Sequence, residues 1–516
     1  MARIVPLRAL PLAAAAAAAA TAIAALPLPA LADVTAEEVW SDWQELFALA
    51  PESSLTTRSE TRTADRLTVQ GLAWQASFPE GSVSLDLPEI AFTEAGNGTV
   101  AVTVSPEYPV TIVSRMPEGG QSMTRMTIFQ EGATTLVSGD PGALTYDVIA
   151  DASGARIDEI LENGVPLPVE MSLRFENLRG SYASLEGVLR SIEARMRASG
   201  AFLAITGTDP DTGETFQLDG ALTGLEASAE TALPEGVDAG DTAALLGAGF
   251  ALDLAYGYDA AAYAFDLEDD GESATGTFTN TGGGLEMALD ANRLRYASRS
   301  RELVLELVAS AVPFPLSVRA GEASTEVAAP LGPVGGEPQP FGLDLAVEDF
   351  AMSDGLWNLF DPGEMLPRDP ARLAIDLAGT ARVTRDPAAA PGPQAEPGAE
   401  PAPVPYALTG LTIENVALAA LGARFSGQGL FSFDPDDLGF FGMPRPAGTL
   451  TMRLTGGNTL LDTLVSMGFV PEENAVGMRI GIGAFAVAEP GAEDTLTSTI
   501  EFTEDGRILA NGQRIQ

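Results

Sequence analysis

The sequence contains no cysteine and no histidine, and all 28 of its basic residues are arginine, so lysine is absent as well. Without cysteine the chain has no disulfide, no thiol nucleophile and no cysteine-ligated zinc or iron–sulfur cluster. Without histidine it has no Ser-His-Asp triad and no HExxH zinc site. Without lysine it has no Schiff base for pyridoxal phosphate and no Walker A lysine. Any catalysis would therefore depend on carboxylates, hydroxyls, tyrosines or arginines.

The chain is also poor in positive charge, since 72 acidic residues against 28 arginines give a net charge of −44. A charge of this size repels nucleic acid phosphates and anionic lipid headgroups, which excludes a nucleic-acid-binding function. The acidic residues are spread along the chain, and this favours a surface that is soluble in salt over a dedicated calcium-binding role. A hydrophobic content of 46% is sufficient for a folded core.

Residues 1–32 have the composition of a targeting segment. Arg3 and Arg8 precede an alanine-rich run, and Ala30-Leu31-Ala32 matches the A-x-A pattern of a cleavage site. This order predicts a secretory signal peptide, and the alternative is an N-terminal helix that stays in the membrane. The absence of a twin-arginine pair favours Sec-type export. Nothing after residue 32 approaches the run of about 18 apolar residues that a membrane-spanning helix needs.

The first element after this segment is predicted to be a helix over residues 35–50. Thr35 and Glu38 form a capping box, and Val39, Trp43 and Phe47 recur at helical spacing. We expect this helix to pack on a sheet. A helix that dips into a membrane is the alternative, but the acidic polar face has the wrong sign for an anionic bilayer.

Most of the remaining chain alternates between apolar and polar residues, which is typical of antiparallel strands with one wet face. The alternation is interrupted by three helical patterns, which predict helices over residues 185–198, 241–247 and 458–467. The fold class is therefore mainly β (α+β), with long twisted antiparallel sheets and about three or four packing helices. Clear examples of alternating runs are Val83 to Leu87, Val100 to Val104, Phe425 to Phe433, Met478 to Ile482 and Leu496 to Phe502.

Two β-rich regions are predicted, residues 33–330 and 341–516, separated by a short proline-containing break. Residues 386–405 contain seven prolines and are predicted to be an extended insertion within the second region. Residues 221–225 recur as residues 407–411 with the same letters, Ala-Leu-Thr-Gly-Leu. This short internal repeat suggests a duplicated β unit.

Two groups of residues are candidates for a site. Asp209, Asp211 and Glu214 resemble the start of a calcium loop but lack the full EF-hand spacing, so a hairpin turn is the favoured interpretation. An aromatic and apolar cluster is interpreted either as a short helix packed under the sheet or as the wall of an apolar groove. This cluster comprises Met352, Leu356, Trp357 and Phe360. The sequence predicts no catalytic residue, no other metal site and no cofactor.

Three stretches are informative together, namely Asp33 to Trp40, the central Ser353-Asp354-Gly355-Leu356-Trp357 to Leu366-Pro367-Arg368-Asp369-Pro370, and Ile508 to Gln513. They resemble the exported domain-of-unknown-function family 2125 of Gram-negative bacteria. The resemblance extends over nearly the whole chain after residue 32, implies a periplasmic location and implies no established activity. A looser similarity to AsmA-like envelope proteins comes from the closing Asn-Gly-Gln, although this chain lacks the retained anchor of that group.

Two functions from different classes remain. In the first, an apolar sheet face binds a lipid or another hydrophobic ligand. In the second, the apolar faces pack on one another and the protein acts as a structural or assembly factor of the cell envelope through contacts with another protein. A hydrolase that uses paired carboxylates is a third option. A sheet whose apolar face stays uncovered by helices would favour the first function.

Overall fold

The computed structural model describes residues 34–48, 50, 52–116, 119–210, 212–237, 241–269, 271–387, 404–438 and 444–515. The predicted signal peptide and most of the proline-rich insertion 386–405 lie outside the described residues. Strands account for 66% of the structure and helices for 11%, which confirms the mainly β prediction. The chain divides into two compact units, residues up to Gly284 with Leu307–Pro313, and Leu285–Glu306 with Phe314 onward.

The first unit consists of antiparallel strands with two helices, α1 (Ala36–Ala48) and α2 (Thr242–Gly247). Strand β3 pairs with β1, β2 and β4, β4 pairs with β5 and β6, and the ladder continues through β7, β9, β11, β12 and β13. Strand β13 then pairs with β14 and β15, and β15 pairs with β16. The bounds of β1 to β16 are Ser54–Thr56, Ser59–Arg62, Arg66–Phe78, Gly81–Glu94, Val100–Val104, Glu107–Arg115, Gln121–Glu131, Thr134–Asp140, Ala143–Glu162, Val165–Leu167, Val169–Leu185, Leu189–Thr208, Thr215–Pro234, Ala251–Tyr258, Ala260–Asp269 and Glu272–Asn280.

The second unit is largely a meander, in which each strand pairs with the next one along the chain. The order β19-β20-β21-β22-β23-β24-β26 is antiparallel throughout, and helices α3 (Asp354–Asn358), α4 (Gly457–Ser466) and α5 (Glu472–Phe485) belong to this unit. The chain passes between the units within β17 (Gly283–Leu289) and β18 (Arg293–Ala309). The bounds of β19 to β28 are Leu316–Pro330, Gln339–Met352, Ala371–Val383, Tyr406–Ala420, Ala423–Leu438, Pro444–Thr455, Val487–Ala488, Thr495–Phe502, Ile508–Ala510 and Gln513–Arg514.

Helix α1 confirms the prediction over residues 35–50 and packs on the sheet. Its Val39 and Trp40 are buried, and the Trp40 ring lies 5.9 Å from that of the fully buried Phe92 on β4. The capping box is present, because the Thr35 backbone N–H donates to Glu38 and the Glu38 N–H donates to Thr35 Oγ1. Together with residues of β3 to β5, these side chains form the main hydrophobic core of the first unit.

The helix predicted over residues 185–198 is wrong. Residues 189–208 form strand β12, which pairs with β11 on one side and β13 on the other. A spacing of four residues fits a helix, but it is also an even number and so fits a strand. Within β12, Ile192, Ala194 and Met196 are at least partly buried while the residues between them are exposed, which is the alternation of a strand.

The strand predicted around Met478 to Ile482 is also wrong, because these residues lie within helix α5. Met478, Ile480 and Ile482 alternate with Arg479 and Gly481, but a run of five residues is too short to distinguish the period of a strand from that of a helix. The helix signals lie before it: Pro471 is the N-cap, and Glu472 and Glu473 occupy the first turn. The other predicted helices are confirmed as α2 and α4. Among the described residues, no helix is long and apolar enough to span a membrane.

Candidate functional site

The four residues of the aromatic cluster lie at the end of β20 (Met352), in helix α3 (Leu356 and Trp357) and just after this helix (Phe360). The Trp357 side chain is only 6% exposed, and its ring lies 5.2 Å from that of Phe360, which is 39% exposed. Met352 and Leu356 are half-buried. The packed-helix interpretation therefore describes Trp357 well, while Phe360 and its exposed neighbours Leu359 and Met365 offer apolar surface. Whether these residues bind a ligand stays a prediction.

Two charged residues hold this cluster in place. Asp361 is buried, and its carboxylate accepts hydrogen bonds from the backbone N–H groups of Met365 and Leu366 at 2.9 and 3.0 Å. Burial would raise the pKa of Asp361, but the N–H groups and Arg368 outweigh it and hold the pKa below its usual range. The Arg368 guanidinium lies 5.6 Å from the Trp357 ring centre and donates to Asp354 on α3.

The calcium candidates lie in the turn between β12 and β13. The Asp209 carboxylate accepts a hydrogen bond from the Thr212 N–H at 3.0 Å, as in an Asx turn. Asp211 lies outside the described residues. A hydrogen bond between the carboxyl groups of Glu214 and Asp269 raises the pKa of Glu214. In the described part of the chain, no group of three or more acidic side chains is arranged to hold a metal ion.

The second unit has a continuous apolar face that extends over seven strands. In an antiparallel sheet, directly opposed residues lie on the same face, so the register identifies the members of that face. Leu345 opposes Ile375, Ile375 opposes Val416, and Phe425 opposes Leu454. The second-unit apolar face comprises Val327, Phe341, Leu343, Leu345, Val347, Leu373, Ile375, Leu377, Leu411, Ile413, Val416, Leu418, Phe425, Phe431, Phe433, Leu450, Met452, Leu454, Leu496, Ile500 and Phe502.

A bulge in β22 keeps this face continuous. Ile413 opposes Gly429 and Val416 opposes Gly427, so two residues of β22, Glu414 and Asn415, lie opposite one residue of β23, and β22 has one extra residue here. Without this irregularity, Ile413 and Val416 would point to opposite faces, because they are an odd number of positions apart. The bulge therefore places both apolar side chains on the same side of the sheet.

The opposite face of the same strands is polar. Arg372 pairs with Glu348 across β20 and β21 at 2.7 Å, and Arg453 on β24 pairs with Glu489. Leu430, on β23, is a lone exposed leucine on this face, opposite Thr412 and Thr449. The second unit thus has one wet face and one apolar face, as predicted for its alternating sequence.

Among the described residues, the apolar face is not packed into a dry core, and its central strands are not covered by helices. Nearly all of its side chains are half-buried, and Leu418 is 47% exposed, whereas Ile500 near the C-terminal end is buried. The helices of this unit lie mainly against β19, β23 and β26, and among the described residues none packs extensively on β20, β21 or β22. The three hydrophobic core clusters of the described chain are all in the first unit.

Three glycines occupy positions in the middle of the apolar face. Gly379, Gly427 and Gly429 occupy face positions on β21 and β23, between larger side chains. A Cβ at Gly427 would meet Phe425 and Met452 at ordinary contact distances of 3.7 and 3.8 Å. A Cβ at Gly379 would lie 2.4 Å from the Phe341 ring. The Phe341 ring therefore lies over Gly379, and a Cβ at Gly429 would lie 3.0 Å from the Phe431 ring.

The first unit also has opposed apolar side chains along one face of its strands. Leu173 opposes Ala155 and Leu203, and Ile205 opposes Leu218. These half-buried side chains continue from two small cores around Leu178 and Met126. A cleft of about 530 Å³ lies where the pairing of β11, β12 and β13 is interrupted, and it is lined by Asn177, Arg197, Ser199, Glu226, Tyr258 and Asp259.

Residues 259–514 match the model of the family described as "Uncharacterized protein conserved in bacteria (DUF2125)". The chain belongs to this family over those residues. The DUF2125 match includes the central and C-terminal stretches that carried the resemblance, but not Asp33 to Trp40. It contains all seven strands of the second-unit apolar face. No curated protein and no solved structure matches the chain significantly. The looser similarity to AsmA-like proteins stays a prediction.

Sequence reasoning located the apolar strands but not the face that they share. The alternation identified Phe425, Phe431 and Phe433, for example, and all three are on the face, whereas Leu430 between them is on the polar face. The register between strands, including the bulge in β22, decides which alternating sets join, and a single sequence gives no direct signal for it. The alternation of apolar and polar residues also did not show how many strands would have no helix packed on them.

Proposed function

We propose that this protein is an exported, non-enzymatic periplasmic protein that binds a lipid or another hydrophobic ligand along the second-unit apolar face. The main support is the extent of that face, which continues over seven strands while its side chains stay half-buried. A monomeric soluble protein rarely leaves so large an apolar surface without a use.

The shape and chemistry of the face agree with an elongated apolar ligand. Strands lie about 4.8 Å apart, so seven neighbouring strands extend over about 29 Å, which is close to the hydrocarbon thickness of a bilayer and is more than the length of one common acyl chain. The described part of the face carries no charged side chain. Recognition there would come from apolar contact, and any polar end of the ligand would lie beyond the face or at its edge.

The export proposal is supported by the composition of residues 1–32, which has the three parts of a signal peptide in order. The absence of cysteine and the strongly acidic surface are compatible with an external compartment. Expression of the full-length sequence in a Gram-negative host tests both the cleavage of the signal peptide and the periplasmic location. The N-terminus of the protein recovered from the periplasm should begin at Asp33.

The ligand is tested by native extraction. The mature protein is purified from the periplasm without detergent, extracted with organic solvent, and the extract is analysed by mass spectrometry. We expect a stoichiometric lipid or other apolar molecule. A clean extract from a folded, monodisperse protein would contradict tight binding and favour the alternative, an assembly factor that acts through a protein partner, to be sought by crosslinking in the envelope.

Two exposed leucines provide a matched pair of variants for this test. Leu418 lies on the apolar face and Leu430 on the polar face of the neighbouring strand, and both are exposed. Leu418→Gln should reduce the ligand content several-fold, because a buried leucine contributes about 1.5–3 kcal/mol to apolar contact. Leu430→Gln should leave the content unchanged. Equal effects of the two substitutions would show that the ligand does not bind on this face.

A further inference from the structure

Helix α5 has an unusual surface for a helix in contact with water. Of its 14 residues, only Ala475 is buried. Five large apolar side chains on it are between 38% and 70% exposed, namely Val476, Met478, Ile480, Ile482 and Phe485. Three glycines, Gly477, Gly481 and Gly483, have no neighbouring atom within 4 Å of a Cβ position. The helix is thus apolar and largely unpartnered.

The exposed side chains surround most of the helix. At about 100° per residue, Val476 and Ile480 lie about 40° apart, while Phe485, Met478 and Ile482 lie about 180°, 200° and 240° from Val476. The remaining sector contains Ala475 and Arg479. Arg479 pairs with Asp462 of α4, so this sector faces the neighbouring helix. The apolar arc therefore extends over about two thirds of the circumference.

This distribution decides which kind of occupant the helix fits. A protein partner or a second copy of the chain covers one stripe of a helix, whereas hydrocarbon accepts apolar side chains from all directions. No charged residue other than Arg479 occurs between Asn474 and Ala488, so no charge has to enter an apolar phase. Phe469 and Val487, at the two ends of the helix, are also exposed and extend the same surface.

We propose that helix α5 docks the protein on a lipid bilayer. A helix of 14 residues is about 21 Å long, shorter than the hydrocarbon thickness of about 30 Å, so it lies in the interface and does not cross the membrane. This inference does not depend on a ligand on the second-unit apolar face. It concerns a different surface, and vesicle binding and native lipid extraction report on them separately.

The charge of the chain sets the lipid preference of this docking. A net charge of −44 repels an anionic surface, and Glu472 and Glu473 lie at the start of α5 itself. Vesicles of phosphatidylcholine should therefore bind the mature protein better than vesicles that contain phosphatidylglycerol. Added salt should reduce the difference, because it screens the repulsion.

The absence of cysteine permits a direct test with a single reporter. Ile480→Cys and Leu430→Cys each create the only thiol of the chain, at positions that are 70% and 65% exposed, and each is labelled with an environment-sensitive fluorophore. With phosphatidylcholine vesicles, we expect a blue shift and a gain in intensity at position 480 and none at position 430. Brominated lipid should quench the label at position 480 only.

Flotation of the unlabelled mature protein with the same vesicles provides the second measurement. The variant Met478→Gln/Ile480→Gln/Ile482→Gln should bind at least about tenfold more weakly, given the apolar contact that it removes, with an unchanged circular dichroism spectrum. No binding of the wild-type protein, equal binding of the variant, or a label shift that appears on dimerisation without vesicles would each overturn the proposal. The last result would identify α5 as an interface between two copies of the chain.

Discussion

Arg190 on β12 and Asp42 on helix α1, 148 residues apart in the chain, form an ion pair that is almost fully buried. The Asp42 carboxylate also accepts a hydrogen bond from the Tyr146 hydroxyl at 2.5 Å. Burial, followed by the charge and hydrogen bond of Asp42, raises the pKa of Tyr146, so the phenol stays protonated. The Arg190 guanidinium further donates to Glu45 and Ser184. This network attaches α1 to the sheet.

Removal of one member should therefore be costly. In Arg190→Met, Asp42 would keep a buried charge without its cation, and the free energy of unfolding of the first unit should fall by about 3–5 kcal/mol. The measurement is urea unfolding followed by tryptophan fluorescence, since Trp40, Trp43 and Trp74 lie in this unit.

Two further variants identify the cause of that loss. Arg197→Met, which removes an exposed ion pair with Glu226, should change the stability by less than about 0.5 kcal/mol. The double variant Asp42→Asn/Arg190→Met should recover part of the stability, because it leaves no uncompensated charge. A double variant no more stable than Arg190→Met would show that packing, and not the buried charge, determines the loss.

A row of carboxylates crosses the polar face of the second unit. Glu326 on β19 opposes Asp344 on β20, which in turn opposes Asp376 on β21. Burial, then the charges of Asp376 and Glu326, raise the pKa of Asp344 against the opposite influence of Arg299. Since the folded state disfavours the ionised form, this group reduces stability at pH values above its unfolded pKa of about 3.9.

Asp344→Asn should therefore raise the melting temperature at pH 7. The gain should diminish as the pH falls through the raised pKa of Asp344 and should vanish below the unfolded pKa of about 3.9, where the wild-type carboxyl is protonated in both states. Thermal unfolding at several pH values measures this. Asp266→Asn is the control, because Asp266 opposes Thr275 and Gln217 and faces no carboxylate across the strands. An equal gain in both variants at pH 7 would show that the row is not its source.

Two glycines of the second-unit apolar face should respond in opposite directions to the same substitution. Gly427→Ala should stabilise the protein by up to about 0.5–1 kcal/mol, because the new Cβ has ordinary contacts and glycine weakens a strand. Gly379→Ala should destabilise it by about 1–3 kcal/mol, since the Cβ would lie 2.5 Å from the Gly410 carbonyl oxygen. Melting temperatures of both variants check the pair. Destabilisation by Gly427→Ala would indicate that the face is closed at that position.

The strand content could be predicted from the sequence because alternation is a local property. Large side chains recur at every second position in runs such as Val100 to Val104, and these residues form strand β5; Phe431 and Phe433 recur in the same way in strand β23. The capping box at Thr35 and Glu38 was equally reliable, and the structure adds a second cap at Asp241, which accepts a hydrogen bond from the Ala244 N–H.

The failures occurred where two periods fit the same letters or where the decisive contact is distant. Residues 185–198 satisfy a spacing of four and a spacing of two, and only the pairing of β12 with β11 and β13 settles the matter. Arg190, within this range, is buried against Asp42, which is 148 residues away in the chain, so no local pattern indicates the contact. The internal repeat at 221–225 and 407–411 falls in strands in both places, but Gly224 has a φ of +61°, a left-handed value, and Gly410 does not.

Because the second unit is largely a meander, the width of its apolar face can change in steps of one hairpin. Because each strand from β19 to β24 pairs with its neighbour in sequence, one hairpin can be gained or lost without reversing the direction of the remaining strands. Because a hairpin consists of two strands, its gain or loss also leaves the side chains of the remaining strands on the same faces. Each such step would widen or narrow the surface by about 10 Å. Relatives with more or fewer hairpins would therefore suit ligands of different length on the same scaffold.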